Sequence, residues 1–338
     1  MYSLVWNGQF GVQIFFVVSG FLITSTSIRR WGTPGRLSIK NFYLLRFARI
    51  APLMLVLLGV LSVLHLAHVP GYIVSERTGG LGRALLAALT FHINLLEAIR
   101  DYLPGNWDIL WSLSVEEMFY LFFPLVARLL PNKRLLLPLL ALFIIAGPFA
   151  RAKAFNPNPV WREYSYPGGM DAIAWGCLTA ILVSGKKLSR TWMQVCGWCG
   201  GALLVFSLCF SLRAYMWGLG RNGLNMTVLA VGAALVVGAA AQSGWQAPRT
   251  LRPVQILGQR SYEIYLTHMF AVMGLFAIFV HLGTPLQGVP VLFALAILFA
   301  GLLGWAVAVF FAEPVNRTIS RRLGEGESVL GAAIPEVD

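Results

Sequence analysis

An all-α, polytopic bundle of membrane-spanning helices is the fold this sequence predicts, on three observations. The 338 residues are 57% hydrophobic and only 12% charged, with a mean hydropathy of +0.71, whereas a soluble domain carries about 25% charged residues. The apolar residues gather into runs close to the ~20 residues with which a helix crosses a bilayer. The basic surplus, a net charge of +12, falls in clusters between those runs, as expected of loops beside an anionic cytoplasmic leaflet. Membrane lipid is therefore an implied partner. Nucleic acid is not, because no basic block is interleaved with aromatic residues.

Spanning runs are expected at about 10–28, 51–69, 111–130, 134–150, 169–184, 192–212, 223–241, 261–282 and 289–312. A tenth run, 82–98, carries Arg83, His92, Asn94 and Glu97. Charge decides its treatment. If it does not span, and the first run passes from outside to inside, eighteen of the 26 Lys and Arg residues lie inside, in clusters at 29–49, 128–134, 186–190, 249–260 and 317–322. Counting it as a span inverts every later loop. The expectation is thus nine spans, an interfacial or re-entrant helix over 82–98, and a cytoplasmic carboxyl end. Such a count places the amino end outside with no span before it, and predicts that one helix is missing ahead of Met1. The membrane domain is read as 1–323, followed by a disordered cytoplasmic tail over 324–338, where apolar periodicity is lost.

The run WSLSVEEMFYLFFP, 111–124, holds the adjacent carboxylates Glu116 and Glu117 in otherwise apolar and aromatic sequence. An ionised carboxylate at bilayer depth costs at least about 2.5 kcal/mol, so such a pair needs partners, protonation or a wet cavity. Neighbours on a helix point about 100° apart, so one glutamate can face a site and the other a neighbouring helix. Ser112 lies four residues before Glu116 and Ser114 three before Glu117, a hydroxyl on the face of each. The same residues also suit a helix start at the membrane surface, with Trp111 and Tyr120 as interface anchors.

Four other stretches carry candidate chemistry. In GVQIFFVVSGFLI, 11–23, Ser19 and Gly20 allow a backbone or a ligand to approach closely, or serve helix packing alone. In FYLLRFARIAP, 42–52, Tyr43, Arg46 and Arg49 share one helix face, where two guanidiniums suit either phosphate groups or lipid headgroups. In LGQRSYEIYLTH, 257–268, Ser261, Tyr265 and His268 form one stripe, and His268 reads as a hydrogen-bonded packing residue or as a base. Asp171, in GGMDAIAWG, is a carboxylate at a helix start that either accepts hydrogen bonds in a cavity or caps its helix. Glu313-Pro314 ends the last helix and reads as structural. Cys196 and Cys199 form a CxxC with no histidine or second pair nearby, which reads as helix packing, so no metal site is expected.

Taken together, GVQIFFVVSGFLI, FYLLRFARIAP, WSLSVEEMFY, DAIAWG, LGQRSYEIYLTH and AEPVNR resemble the acyltransferase 3 family, multi-spanning bacterial membrane enzymes that O-acylate surface polysaccharides and related acceptors. The motifs stand in the family's order, and WSLSVEE-x-FY is the most specific. The resemblance implies an acyl group, acetyl by expectation, moved from acyl-CoA, a co-substrate and not a tightly bound cofactor. The acceptor is a hydroxyl of an envelope glycan, a lipid-linked glycan or a glycosylated product. It implies a place in the bacterial inner membrane, acyl-CoA contacts at Tyr43, Arg46 and Arg49, and catalysis by Glu116 and Glu117, with His268 a weaker catalytic candidate. Ser19, Gly20, Ser112, Ser114, Asp171 and Tyr265 would line the pocket. Two departures stand out. The family's first helix, with a basic residue and a histidine taken as the base, does not precede this stretch, and Gln13 fills a position often held by aspartate. The alternative expectation is a non-catalytic or truncated membrane protein that binds or moves an acyl-CoA or a glycan.

Overall fold

The computed structural model describes residues 8–32, 38–129, 133–185, 187–244, 247–283 and 286–322; they form helices joined by turns, with no strand among them. In chain order these are α1 (Gly8–Trp31), α2 (Ile39–Leu66), α3 (Gly80–Leu89), α4 (Ile93–Ile99), α5 (Gly105–Asp108), α6 (Leu110–Leu129), α7 (Lys133–Arg151) and α8 (Pro159–Tyr164). They continue as α9 (Tyr166–Gly185), α10 (Arg190–Cys209), α11 (Ser211–Met216), α12 (Leu224–Ser243), α13 (Arg252–Gln259), α14 (Ser261–His281), α15 (Val289–Val307) and α16 (Glu313–Arg322). A π-helical turn, Ala308–Ala312, joins the last two. The expected tail, 324–338, lies outside the described residues.

The all-α membrane bundle is the observed class. Among the described residues, eight helical stretches are long and apolar enough to cross a membrane, against the nine expected. The difference is 134–150, which falls on α7. It is one helix of 19 residues that runs through Pro138 and Pro148; its apolar part, Leu136–Arg151, is shorter than the other eight stretches.

The run 82–98 differs from the expected single helix. It is two short helices, α3 and α4, not one. Phe91, at a φ of 56°, breaks the run, and a bulky residue takes that left-handed conformation only under constraint. The constraint is visible nearby: the Tyr166 hydroxyl donates to the Phe91 carbonyl at 2.5 Å. Asn94 and Glu97 are buried; the Asn94 amide donates to the Tyr164 carbonyl at 3.1 Å.

The chain divides into two compact units. The first comprises Met1–Ile39, Arg77–Tyr102 and Leu110–Gln246. The second comprises Lys40–Glu76, Leu103–Ile109 and Ala247–Asp338.

The first unit is built around α9, which packs against α1, α7, α12 and α6. A helix that is apolar on every side is one enclosed on every side, and α9 buries Gly168, Gly169, Ala172, Ala174, Gly176 and Cys177. Between helices in lipid the driving force is close packing, which small residues permit. At the α1–α9 crossing, a methyl at Gly20 would fall on the Ile173 carbonyl, and one at Gly176 on the Val17 carbonyl and the Phe21 nitrogen. The two backbones therefore touch there. By contrast, α10 packs on α12 and leaves Trp192, Val195, Trp198 and Val205 exposed, a patch suited to acyl chains and not to water.

In the second unit α14 and α15 pack together, and a Cβ at Gly304 would strike the Ile264 backbone. The Tyr262 hydroxyl donates to the Ile50 carbonyl of α2 at 2.8 Å. Arg260 is held by Glu313 at 2.8 Å, and Arg317 lies 3.8 Å from the same carboxylate. Glu313 is thus structural, as its sequence context suggests.

Candidate active site

Both glutamates of α6 are buried, at 6% exposure for Glu116 and 8% for Glu117. The cost at Glu116 is offset by contacts that sequence spacing only partly reveals. Glu116 Oε1 accepts hydrogen bonds from Ser19 of α1 and from Tyr120, and the Ser19 and Tyr120 hydroxyls also touch each other. Tyr120 follows Glu116 by four residues, one helical turn on the same face; that spacing is the signal an interface-anchor reading of Tyr120 passes over. Ser19 reaches the site because its neighbour Gly20 seats α1 directly on α9.

Ser112 and Ser114 are buried too, but Ser114 does not serve the expected purpose. Its hydroxyl donates back to the Leu110 carbonyl at 3.0 Å and accepts the Ile93 N–H at 3.3 Å, so it ties α6 to α4. Aromatic rings pack about the amino-terminal end of α6. Trp111 stacks on Tyr164 at 4.2 Å with the planes 8° apart, and Phe16 meets Trp111 edge-on at 6.2 Å. Gly169 of α9 is pressed against Phe16 and Val115, with no room for a side chain.

Asp171 neither caps a helix nor stands open in a cavity. It lies in the second turn of α9 and pairs with Arg151, at 2.8 Å from Nη1 to Oδ1 and 2.6 Å from Nη2 to Oδ2. Arg151, which directly follows the apolar run 134–150, is 7% exposed. It also donates to the Gly168 carbonyl, to the Gly223 carbonyl at 3.1 Å and to Thr227 at 2.7 Å. A buried ion pair is tolerated only with such geometry and with its remaining donors satisfied. Sequence gives little warning of it, since the partners lie twenty residues apart and meet only when α7 folds onto α9. Gln13 donates to the same Gly168 carbonyl at 3.3 Å, and its carboxamide oxygen has no hydrogen-bond partner among the described residues.

The remaining candidates belong to the second unit. Tyr43, Arg46 and Arg49 are carried by α2; Arg46 is half-buried and Arg49 exposed. The Tyr265 hydroxyl donates to the Ile109 carbonyl at 2.8 Å. His268 Nδ1 bonds the Tyr265 carbonyl of its own helix at 2.6 Å, so Nδ1 carries the proton there and Nε2 is the nitrogen left for other chemistry. Among the described residues no three His, Cys, Asp or Glu side chains are grouped to hold a metal.

The fold and this site define a multi-pass membrane protein that keeps a carboxylate and two hydroxyls in mutual hydrogen-bond reach inside a helix bundle. The chain belongs to the acyltransferase family whose model, described as Acyltransferase domain, matches residues 2–310. It is 27% identical over 295 residues to the peptidoglycan O-acetyltransferase OatA of Listeria monocytogenes, covering 79% of this chain and 45% of that protein. It is 24% identical over 275 residues to the O-acetyltransferase OatA of Staphylococcus aureus, covering 78% of this chain and 45% of that one. The chain thus spans about half the length of these relatives. No solved structure matches.

Proposed function

We propose that the protein is a membrane-bound O-acyltransferase that moves an acetyl group from acetyl-CoA to a hydroxyl of an envelope glycan. The observation that carries this reading is the Ser19–Glu116–Tyr120 arrangement in a chain of the acyltransferase family. Acyl transfer from a thioester needs a base for the attacking hydroxyl and donors for the oxyanion. Glu116 is placed to take the proton of a hydroxyl, as it already accepts from two. When the tetrahedral intermediate collapses, the carbon–sulfur bond breaks and the proton passes to the departing thiolate.

The donor's phosphates fit Arg46 and Arg49 of α2, with Tyr43 on the same face, since forked guanidiniums suit phosphate oxygens. The acceptor class follows from relatives named for peptidoglycan and O-acetyl transfer. The membrane is read as the bacterial inner membrane with the carboxyl end in the cytoplasm, a reading supported by the clustering of basic residues expected of cytoplasmic loops.

The test is transfer of radiolabelled acetyl from acetyl-CoA to peptidoglycan fragments by the purified full-length protein. Glu116→Gln should lower kcat about 10²- to 10⁴-fold, the worth of a general base. Transfer by that variant at the unchanged rate removes Glu116 from the chemistry.

A further inference from the structure

We propose that Ser19 is itself acylated: the acetyl group passes from the thioester to Ser19 Oγ and only then to the acceptor. The inference rests on the acyltransferase reading above. It is carried by the way this serine spends its hydroxyl. Serines and threonines in apolar helices commonly return the hydroxyl to a carbonyl one turn back. Ser27, Ser62, Thr179 and Thr267 all do so here, at 2.7–2.8 Å. Ser19 instead points across to another helix and donates to Glu116. A nucleophile within hydrogen-bond reach of a base, with the base held by a third group, is the arrangement of an activated nucleophile. Tyr120 is that third group, since it bonds the same carboxylate oxygen from one turn along α6.

Ser19 is also closely held. It is 6% exposed, and the next residue, Gly20, lies against the Ile173 carbonyl. A nucleophile on such a rigid crossing loses little further freedom on reacting, which is where proximity gains arise.

The chemistry balances with the two substrates alone. In the first half, Oγ bonds to the acetyl carbon, the carbon–sulfur bond breaks, and the serine proton passes through Glu116 to the thiolate, which leaves as the free thiol of coenzyme A. In the second, the acceptor oxygen bonds to the acetyl carbon, the Ser19 ester bond breaks, and the acceptor's proton returns through Glu116 to Oγ. The first step exchanges a thioester for an oxygen ester. The second exchanges one alkyl ester for another, so neither needs a further reactant.

The experiment incubates the full-length protein with [14C]acetyl-CoA, first without acceptor and then with peptidoglycan fragments. The expected result is one thiol released and one acetyl bound per protein before acceptor is added, discharged once it is, with the label on the peptide containing Ser19. Ser19→Ala should show neither burst nor label. Ser19→Cys should carry a label that neutral hydroxylamine removes. Tyr120→Phe should still be labelled, more slowly. Acetylated glycan formed with no burst and no protein-bound label overturns the covalent step while leaving the acyltransferase reading intact, as does a label on any other residue. Absence of both label and product with every glycan offered overturns both.

Discussion

Tyr120 and Glu116 meet within one helix: the phenol hydroxyl donates to the carboxylate from one turn further along α6, and Ser19 of α1 donates to the same oxygen. Removing the phenol hydroxyl leaves the carboxylate buried with one donor fewer. Tyr120→Phe should therefore lower kcat for acetyl transfer by roughly tenfold, with KM for acetyl-CoA little changed. The fold should survive, because one hydrogen bond to a charged group is worth about 1.5–3 kcal/mol. Steady-state rates with thermal unfolding of the same preparation in detergent separate the two effects.

The Arg151–Asp171 pair predicts a different pattern. Truncating one partner strands a buried charge, at a cost of about 3–5 kcal/mol. Arg151→Leu and Asp171→Leu should each lower the unfolding midpoint markedly. The double substitution should recover much of the loss, since a buried pair replaced by apolar residues of similar volume is often near neutral. A double-mutant cycle of unfolding free energies measures it, and simple additivity would deny the pairing its role.

Backbone contact between α1 and α9 predicts which glycines matter. Gly20→Ala and Gly176→Ala each place a methyl on main-chain atoms of the facing helix and should destabilise by about 1–3 kcal/mol, the usual cost of overpacking. Gly59→Ala, in α2 where nothing lies within 4 Å, should be neutral or slightly stabilising. The comparison is made by thermal unfolding.

The role proposed for Arg46 and Arg49 concerns the donor alone. Arg46→Ala and Arg49→Ala should each weaken acetyl-CoA binding roughly tenfold or more, the scale of a charge-assisted hydrogen bond. The wild-type affinity should fall with added salt. Binding of S-acetylpantetheine, which lacks the phosphates, should respond to neither substitution. Calorimetry with both ligands checks the assignment.

How far the sequence could be read depends on the range of each interaction. Spanning helices follow from run length and charge clustering, which are local. The buried state of Glu116 and Glu117 follows from the apolar run around them. Tyr120 was within reach too, four residues from Glu116, but a tyrosine near a tryptophan in such a run reads equally as an interface anchor. What stayed hidden is what the tertiary fold brings together. Ser19 and Glu116 stand 97 residues apart, and nothing in either stretch names the other. Arg151 reads as loop charge because its partner lies on a different helix. The split of 82–98 turns on a single left-handed residue, Phe91, held by a hydroxyl 75 residues away.

The place where α1 meets α9 main chain to main chain has a mechanical consequence. At Gly20 and Gly176 peptide groups meet with no side chain to give way, so a small roll or slide of α1 on α9 there ends in collision. The serine is in effect mounted on a fixed post. Whatever admits a reactant to it must yield elsewhere, on the α6 side, where side chains and not peptide groups meet it.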